Sequence, residues 1–162
     1  METAQKFKFS VGFTLVELLV AISIIGLLST LIFANFAATR VRGRDVQRKS
    51  DLREVQKALR LYYNDKGVYP THNTTNFTIN GCGPDSTSEC SWGSPWSAGA
   101  QTYMNALPKD PLTNRSYRYE RSNLDDYTLK ACLENKSDTS CSSVQEGWCN
   151  TTLAGCVYQL KP

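Results

Sequence analysis

Glu17 is the acidic residue whose position most needs a chemical explanation. It is the single charged residue between Phe13 and Thr39, in a run that is otherwise apolar or uncharged. An ionised carboxylate costs roughly 2.5 to 3.5 kcal/mol at the centre of a bilayer and less near its interface. A functional cationic partner is therefore the first interpretation, and a carboxylate that reaches the lipid headgroups is the alternative.

The cysteines are the second set of reactive side chains, and all of them lie in the second half of the chain. An even number in a small polar domain favours disulfides and an oxidising compartment. Clustering along the chain predicts the pairs Cys82–Cys90, Cys132–Cys141 and Cys149–Cys156. Zinc is the alternative for these thiols, but the tight C-x2-C pairs of zinc ribbons are missing.

Catalytic residue patterns are scarce. His72 is the one histidine, and the sequence contains no G-x-S-x-G elbow, H-E-x-x-H pair or phosphate-binding loop. We therefore expect no enzyme activity, no metal and no other cofactor.

The distribution of charge argues against a general nucleic-acid binder. The net charge of the 162 residues is +3, but the stretch 40–53 holds six basic and two acidic residues. The stretch 71–162 holds seven basic and nine acidic residues and is weakly acidic. The basic cluster is interpreted as a solvated helix face, with DNA contact as the alternative.

The apolar run predicts the helix in which Glu17 lies. Roughly 20 helical residues cross a bilayer core, and the run at 13–39 is longer than that. A secretory signal peptide has a shorter apolar core followed by a small-residue cleavage site. The pattern therefore predicts a membrane-spanning helix at 13–39.

The helix is predicted to continue through 40–66 as an amphipathic second half. Its apolar stripe is formed by Leu52, Val55, Leu59 and Tyr62 at spacings of three and four. The other sides are assigned to basic residues, which are Arg48, Lys49, Arg53, Lys57 and Arg60. The helix is expected to end near 64–67, because Gly67 is a stop signal and Pro70 prevents continuation.

The remainder, 67–162, is predicted to be a small globular head. Pro70, Pro108 and Pro111 indicate loops between the helix and the sheet. Alternating residues predict strands at 117–120, 126–134 and 155–160. The fold class is therefore α+β, a long N-terminal helix packed on a small antiparallel sheet in a disulfide-stapled head.

The sequence VGFTLVE at 11–17, followed by LLVAISIIGLL, resembles the signal of type IV pilins and of the pseudopilins of type II secretion systems. The resemblance implies that a leader at 1–12 is removed by a prepilin peptidase after Gly12. It also implies N-methylation of the new N-terminal Phe13. Glu17 would then meet the Phe13 ammonium group of a neighbouring subunit during assembly.

The resemblance extends, less specifically, through the head. Tyr69-Pro70, the stretch LPKDP at 107–111 and the tyrosines at 117 and 119 are similar to the major pseudopilin and related pilins. Major pseudopilins usually carry a calcium loop between their late strands, where this chain has cysteines. Disulfides are therefore expected in its place.

The function implied is that of a structural subunit of a helical homopolymer, either a type IV pilus or a type II secretion pseudopilus. A pilus would serve adhesion, twitching motility or DNA uptake, and nucleic acid is a partner only in the last case. Further expected partners are the assembly platform and membrane lipid, with the head outside the cytoplasmic membrane. The alternative is a single-pass membrane-anchored extracellular binding domain that does not polymerise. Which machine the chain serves stays open at this point, as do major or minor status and glycosylation of its N-x-S/T sequons.

Overall fold

The structure is a computed structural model that describes residues 12–142, 146–150 and 155–162, without the side chains at 31–35 and 150. The predicted leader therefore lies outside the described residues except for Gly12. The chain divides into two compact units, 1–39 and 40–162.

Helix α1 comprises Leu15–Lys66. It ends as predicted, because Gly67 adopts the left-handed region with a φ of 71° and its N–H donates to the Tyr63 carbonyl at 2.8 Å. In the part of the chain that the structure describes, no helix is long and apolar enough to cross a membrane. This differs from the span predicted at 13–39, a segment in which five side chains are not described.

The described residues of the second unit form three small antiparallel sheets. The first is β1–β2–β3, formed by Thr71–His72, Ile79–Cys82 and Ser88–Cys90. The second is the pair β4–β5, formed by Trp96–Ala98 and Gln101–Met104. The third is β6–β7–β8, formed by Arg118–Asn123, Asp126–Leu133 and Cys156–Leu160. A short helix, α2, comprises Gly147–Asn150 and precedes the last strand of this sheet.

The α+β class and the late three-stranded sheet agree with the sequence prediction. The first two sheets do not, because the sequence predicts only loops between the helix and Tyr117. Their strands have two to four residues. Strands so short carry too few alternating positions to give a periodic signal.

The core of the head forms where the predicted stripe of α1 meets the sheets. Leu52, Val55 and Leu59 are fully buried and Tyr62 nearly so, which confirms that face. Trp96, Tyr103 and Tyr62 contact one another through their rings at centroid distances of 5.1 to 5.5 Å. Aromatic side chains thus supply much of the buried apolar area of this small domain.

Arg48 corrects the predicted helix face. The sequence predicts Arg48 on the solvated basic side of the helix, but the structure buries its side chain completely. It lies four residues before Leu52 and therefore on the same face of the helix. A buried guanidinium is possible here because carboxylates surround it.

Two of the three predicted disulfides were wrong. Cys82 pairs with Cys90 as predicted, whereas Cys132 pairs with Cys149 and Cys141 with Cys156. The physical reason is the pairing of β7 with β8, which puts Cys156 opposite Leu133 and leaves Cys132 facing the other side, where α2 brings Cys149. All six cysteines are paired, so no thiol remains for the zinc alternative.

Candidate assembly site

Glu17 lies in the first turn of α1, and its carboxylate accepts hydrogen bonds from Thr14 at the start of that turn. Its Oε2 accepts hydrogen bonds from the Thr14 backbone N–H at 2.9 Å and the Thr14 hydroxyl at 2.8 Å. The Thr14 Oγ1 in turn accepts the Glu17 backbone N–H at 3.2 Å. This reciprocal pair is a capping box, which satisfies two of the backbone donors left open at a helix start.

Gly12 and Phe13 precede this cap. Among the described residues, no atom lies within 4 Å of a Cβ built at Gly12, and the Phe13 side chain is 84% exposed. The described part of the chain therefore leaves the backbone at the predicted scissile bond accessible. Thr14 and Glu17 are in contact within one chain, whereas the predicted Phe13 partner of Glu17 belongs to a second chain.

Most of the described apolar side chains between Phe13 and Leu28 are exposed to solvent. Eleven large hydrophobic side chains in this stretch are more than half exposed. They are Phe13, Leu15, Val16, Leu18, Leu19, Val20, Ile22, Ile24, Ile25, Leu27 and Leu28. Exposed apolar surface that extends around a helix marks a site of association with protein or lipid.

A second group of charged residues stabilises the head and was missed as a group by the sequence analysis. Arg48 forms ion pairs with Asp45 at 2.8 Å, Asp110 at 2.8 Å and Glu134 at 2.7 Å. Arg44 adds a second cation, with its Nη2 at 2.6 Å from Glu134. The cluster ties α1 to the loop before β6 and to the end of β7.

Asp45 completes this cluster through backbone contacts. Its two carboxylate oxygens accept the N–H groups of Glu134 and Asn135, each at 2.9 Å. Asp45 and Arg48 are three residues apart on one helix, a spacing that allows an ion pair. That spacing was the available signal, but only the fold brings Asp110 and Glu134 to it.

The charges shift the ionisation of these groups in the expected directions. Hydrogen bonds from Arg44, together with those from Arg48, hold the pKa of Glu134 at about 2 despite partial burial. Burial acts to lower the pKa of Arg48, but its hydrogen bonds to Asp110 and Glu134 outweigh that effect and the pKa is raised. The Lys49 ammonium, which lies 2.7 Å from Asp138, holds the pKa of that carboxyl at about 2.

Two family models match the chain in adjoining segments. The prokaryotic N-terminal methylation motif matches residues 12–33, which include Phe13, Glu17 and the exposed apolar helix. Type II secretion system protein G matches residues 36–132, more than half of the chain. The chain belongs to the type II secretion system protein G family. The methylation motif thus coincides with the capped, uncovered end of α1, and the protein G segment contains Asp45, Arg48 and Asp110.

Individual relatives of this protein G family member are other core proteins G and a type IV major pilin. The type II secretion system core protein G of Vibrio cholerae is 28% identical over 131 residues, which cover 78% of this chain and 84% of that protein. Its counterpart from Escherichia coli is 32% identical over 105 residues, 64% of this chain and 67% of that protein. The type IV major pilin protein PilA of Myxococcus xanthus is 31% identical over 58 residues, 36% of this chain and 26% of that protein. No solved structure matches the chain.

Proposed function

We propose that this protein G family member is a structural subunit of a filament, assembled through the first half of α1. The observation that carries the proposal is the exposure of the apolar side chains between Leu15 and Leu28. Water is a poor environment for so much continuous apolar surface, and burial against copies of the same helix removes it from water. This role asks for no catalysis by the chain itself.

Glu17 is proposed to direct the association. Removal of a leader after Gly12 would create an ammonium group at Phe13, four residues before Glu17 in the same chain. In a filament, the carboxylate would pair with the ammonium of a neighbouring subunit. Two unit charges about 4 Å apart attract by roughly 4 kcal/mol at an effective dielectric constant near 20, which offsets much of the desolvation cost.

The pairing requires Glu17 to accept a second partner beside Thr14. Its carboxylate oxygen already accepts two hydrogen bonds from Thr14. A carboxylate has two oxygens and several acceptor positions, so it retains room for a cation while one oxygen stays on the cap. Thr14 would then orient the carboxylate towards the neighbouring subunit.

Processing and location follow from the same segment. The proposal includes cleavage between Gly12 and Phe13 by a prepilin peptidase and methylation of the new amino group. The open backbone at Gly12 and the match to the methylation motif support it. Before assembly, the exposed apolar helix would be held in the cytoplasmic membrane, with the disulfide-bonded head on the oxidising side.

A type II secretion pseudopilus is favoured over a type IV pilus. The protein G model covers residues 36–132, and it thus includes most of the head. The match to the Myxococcus xanthus pilin covers 36% of the chain. The proposed partners are therefore further copies of the chain and the assembly platform of a secretion system.

The test compares filament yield with membrane-resident protein for Glu17→Val. We expect this variant to insert normally, because the span becomes more apolar, but to lose nearly all sheared fibres. Glu54→Val is the matched control, since Glu54 is an exposed carboxylate of the same helix in the head. Normal fibres from Glu17→Val would contradict the pairing role.

Thr14→Val separates pairing from capping. It removes the hydroxyl of the cap but keeps the Glu17 carboxylate, so we expect most fibres to remain. Fibre loss as complete as in Glu17→Val would indicate that the cap itself is what assembly requires. If wild-type protein never leaves the membrane in cells that carry the secretion machinery, the non-polymerising anchored binder is the better description.

A further inference from the structure

The head carries several N-x-S/T sequons that the filament role does not use. In exported proteins such a sequon is the acceptor of an N-linked glycan, and its asparagine amide receives the sugar. The sequons of this chain begin at Asn73, Asn76, Asn114, Asn135 and Asn150. The structure describes the side chains of the first four, and these four differ in what they contact.

The first two sequons are bound into a network around one carboxylate. The Asn73 amide donates to Glu89 at 3.0 Å, while its carbonyl oxygen accepts the Thr75 N–H at 2.8 Å. The Asn76 amide donates to the same Glu89 side chain at 3.3 Å. Thr78, the third residue of the Asn76 sequon, is buried, and its hydroxyl also donates to Glu89. A sugar on either amide nitrogen would replace one of its N–H groups and crowd the Glu89 carboxylate.

The sequon at Asn135 is also engaged. Its side-chain oxygen accepts the Ser137 N–H at 3.2 Å, and its backbone N–H donates to Asp45 at 2.9 Å. The Asn135 side chain is half-buried, and Ser137 is the third residue of the same sequon. A transferring enzyme would therefore meet a local turn that is already closed by hydrogen bonds.

Asn114 is the exception among these four. It lies in a turn in which the Arg115 N–H donates to the Leu112 carbonyl at 3.1 Å. Its side chain is exposed and makes no hydrogen bond with any residue that the structure describes. Ser116, the third residue of this sequon, is exposed as well, and its hydroxyl contacts only the neighbouring Tyr117 carbonyl at 3.2 Å. A sugar on the Asn114 amide nitrogen thus displaces no contact of the fold.

The setting of the head is compatible with this chemistry. Its three disulfides indicate an oxidising compartment outside the cytoplasm, where N-linked glycans are added to exported chains. The Asn114 turn belongs to the loop between β5 and β6 and contains no strand or helix. Exposed turns of this kind are the places where a folded domain tolerates added groups.

We propose that Asn114 is an N-glycosylation site, which receives an oligosaccharide from a polyprenyl pyrophosphate donor. The amide nitrogen forms a bond to C1 of the first sugar, and the bond between C1 and the pyrophosphate oxygen breaks. One amide proton passes to a base of the transferring enzyme, and the lipid pyrophosphate leaves with the electron pair. No oxidant or reductant takes part. The inference does not depend on filament assembly.

The experiment is mass spectrometry of tryptic peptides from the full chain, isolated from the cells that naturally make it. Cleavage after lysine and arginine separates the four described sequon asparagines into the peptides 67–109, 110–115 and 131–136, and Asn114 is the one asparagine of peptide 110–115. We expect an oligosaccharide mass on peptide 110–115 and none on the other two. An unmodified peptide 110–115, or a glycan on one of the other two peptides instead, overturns the proposal.

Variants then assign the sugar to the sequon. Asn114→Gln and Ser116→Ala are each expected to remove it completely, and Ser116→Thr to retain it, because threonine keeps the hydroxyl of the sequon. Thr113→Ala is the control for a sugar linked to the hydroxyl of the same peptide, and Asn73→Gln is the matched control at another sequon. Both controls should keep the glycan. Intact disulfides in a non-reducing peptide map verify that each variant is folded. A glycan that persists in Asn114→Gln or in Ser116→Ala overturns the proposal.

Discussion

The segments 15–39 and 40–66 belong to the same helix, yet their apolar side chains differ in solvent exposure. In the first, leucines and isoleucines between Leu15 and Leu28 are more than half exposed. In the second, Leu52 and Leu59 are fully buried, and charged residues cover the outer face. The helix thus forms both where its apolar side chains are exposed and where they are buried. The second segment packs against the head of its own chain, whereas the proposed partners of the first are further copies of the chain.

The largest expected effect on the head comes from Arg48→Ala. Removal of the guanidinium leaves Asp45, Asp110 and Glu134 close together without their central cation, which costs about 3 to 5 kcal/mol of unfolding free energy. Urea unfolding of the head measures this loss. Arg53→Ala is the control on the exposed side of the helix, with an expected change of about 0.5 kcal/mol or less. Equal effects of the two variants would mean that the buried cluster does not stabilise the fold.

A pair of identical substitutions tests the comparison most directly. Leu59→Ala creates a cavity in the core and is expected to cost about 2 to 5 kcal/mol of head stability. Leu19→Ala removes a side chain that is 51% exposed and should change the stability of the head by about 0.5 kcal/mol or less. Leu19→Ala should instead reduce the yield of assembled filaments. Loss of head stability in Leu19→Ala would show that the two segments are coupled.

Removal of the disulfide between Cys132 and Cys149 is expected to have the next largest effect on stability. It closes a separation of 17 residues, and its removal by paired alanine substitutions is expected to cost about 3 kcal/mol in the chain-entropy account. Non-reducing peptide mapping checks the connectivity itself. A peptide in which Cys132 is linked to Cys141 would contradict the structure.

Acidification is expected to have the smallest effect on the stability of the head. It acts by protonating Glu134 and Asp138. Both carboxyls have their pKa lowered to about 2, from ordinary values of 4.5 and 3.8. Their contribution to stability is therefore complete above about pH 5 and is lost as the pH falls towards 2. We expect a loss of roughly 1 to 3 kcal/mol for the two together, because solvent screens part of the attraction. Thermal unfolding across this range measures it, and Glu134→Gln should flatten the curve. A melting temperature that stays constant down to pH 2 would exclude a stabilising role for these pairs.

Much of the helix and of the late sheet could be predicted because their signals are local. The stripe from Leu52 to Tyr62, the stop at Gly67 and the alternation along β7 each depend on residues close together in sequence. The short sheets between Thr71 and Met104 gave no such signal. Alternation along β7 puts Lys130 and Cys132 on the face opposite to Leu129 and Leu133, but both are buried, because the Cys132–Cys149 disulfide, Trp148 and Glu146 cover that face.

The candidate assembly site was predictable for a related reason. Gly12, Phe13 and Glu17 lie within six residues, so one sequence window contains the whole signal. Their proposed roles in cleavage, methylation and pairing remain predictions. The capping contact between Thr14 and Glu17 also lies in that window, in the T-x-x-E pattern of a capping box.

The sequence by itself determined the elements whose causes are local: a long helix with an apolar first half, an amphipathic second half, and an oxidised head with paired cysteines. Tertiary structure alone decided which distant groups meet. Cys132 bonds to Cys149 because β7 pairs with β8 and α2 passes beneath them, and proximity along the chain did not predict this. Arg48 is buried because Asp110 and Glu134 arrive from 62 and 86 residues away to neutralise it. The energy of burying a charge depends on its neighbours in space, and these are set only when the chain has folded.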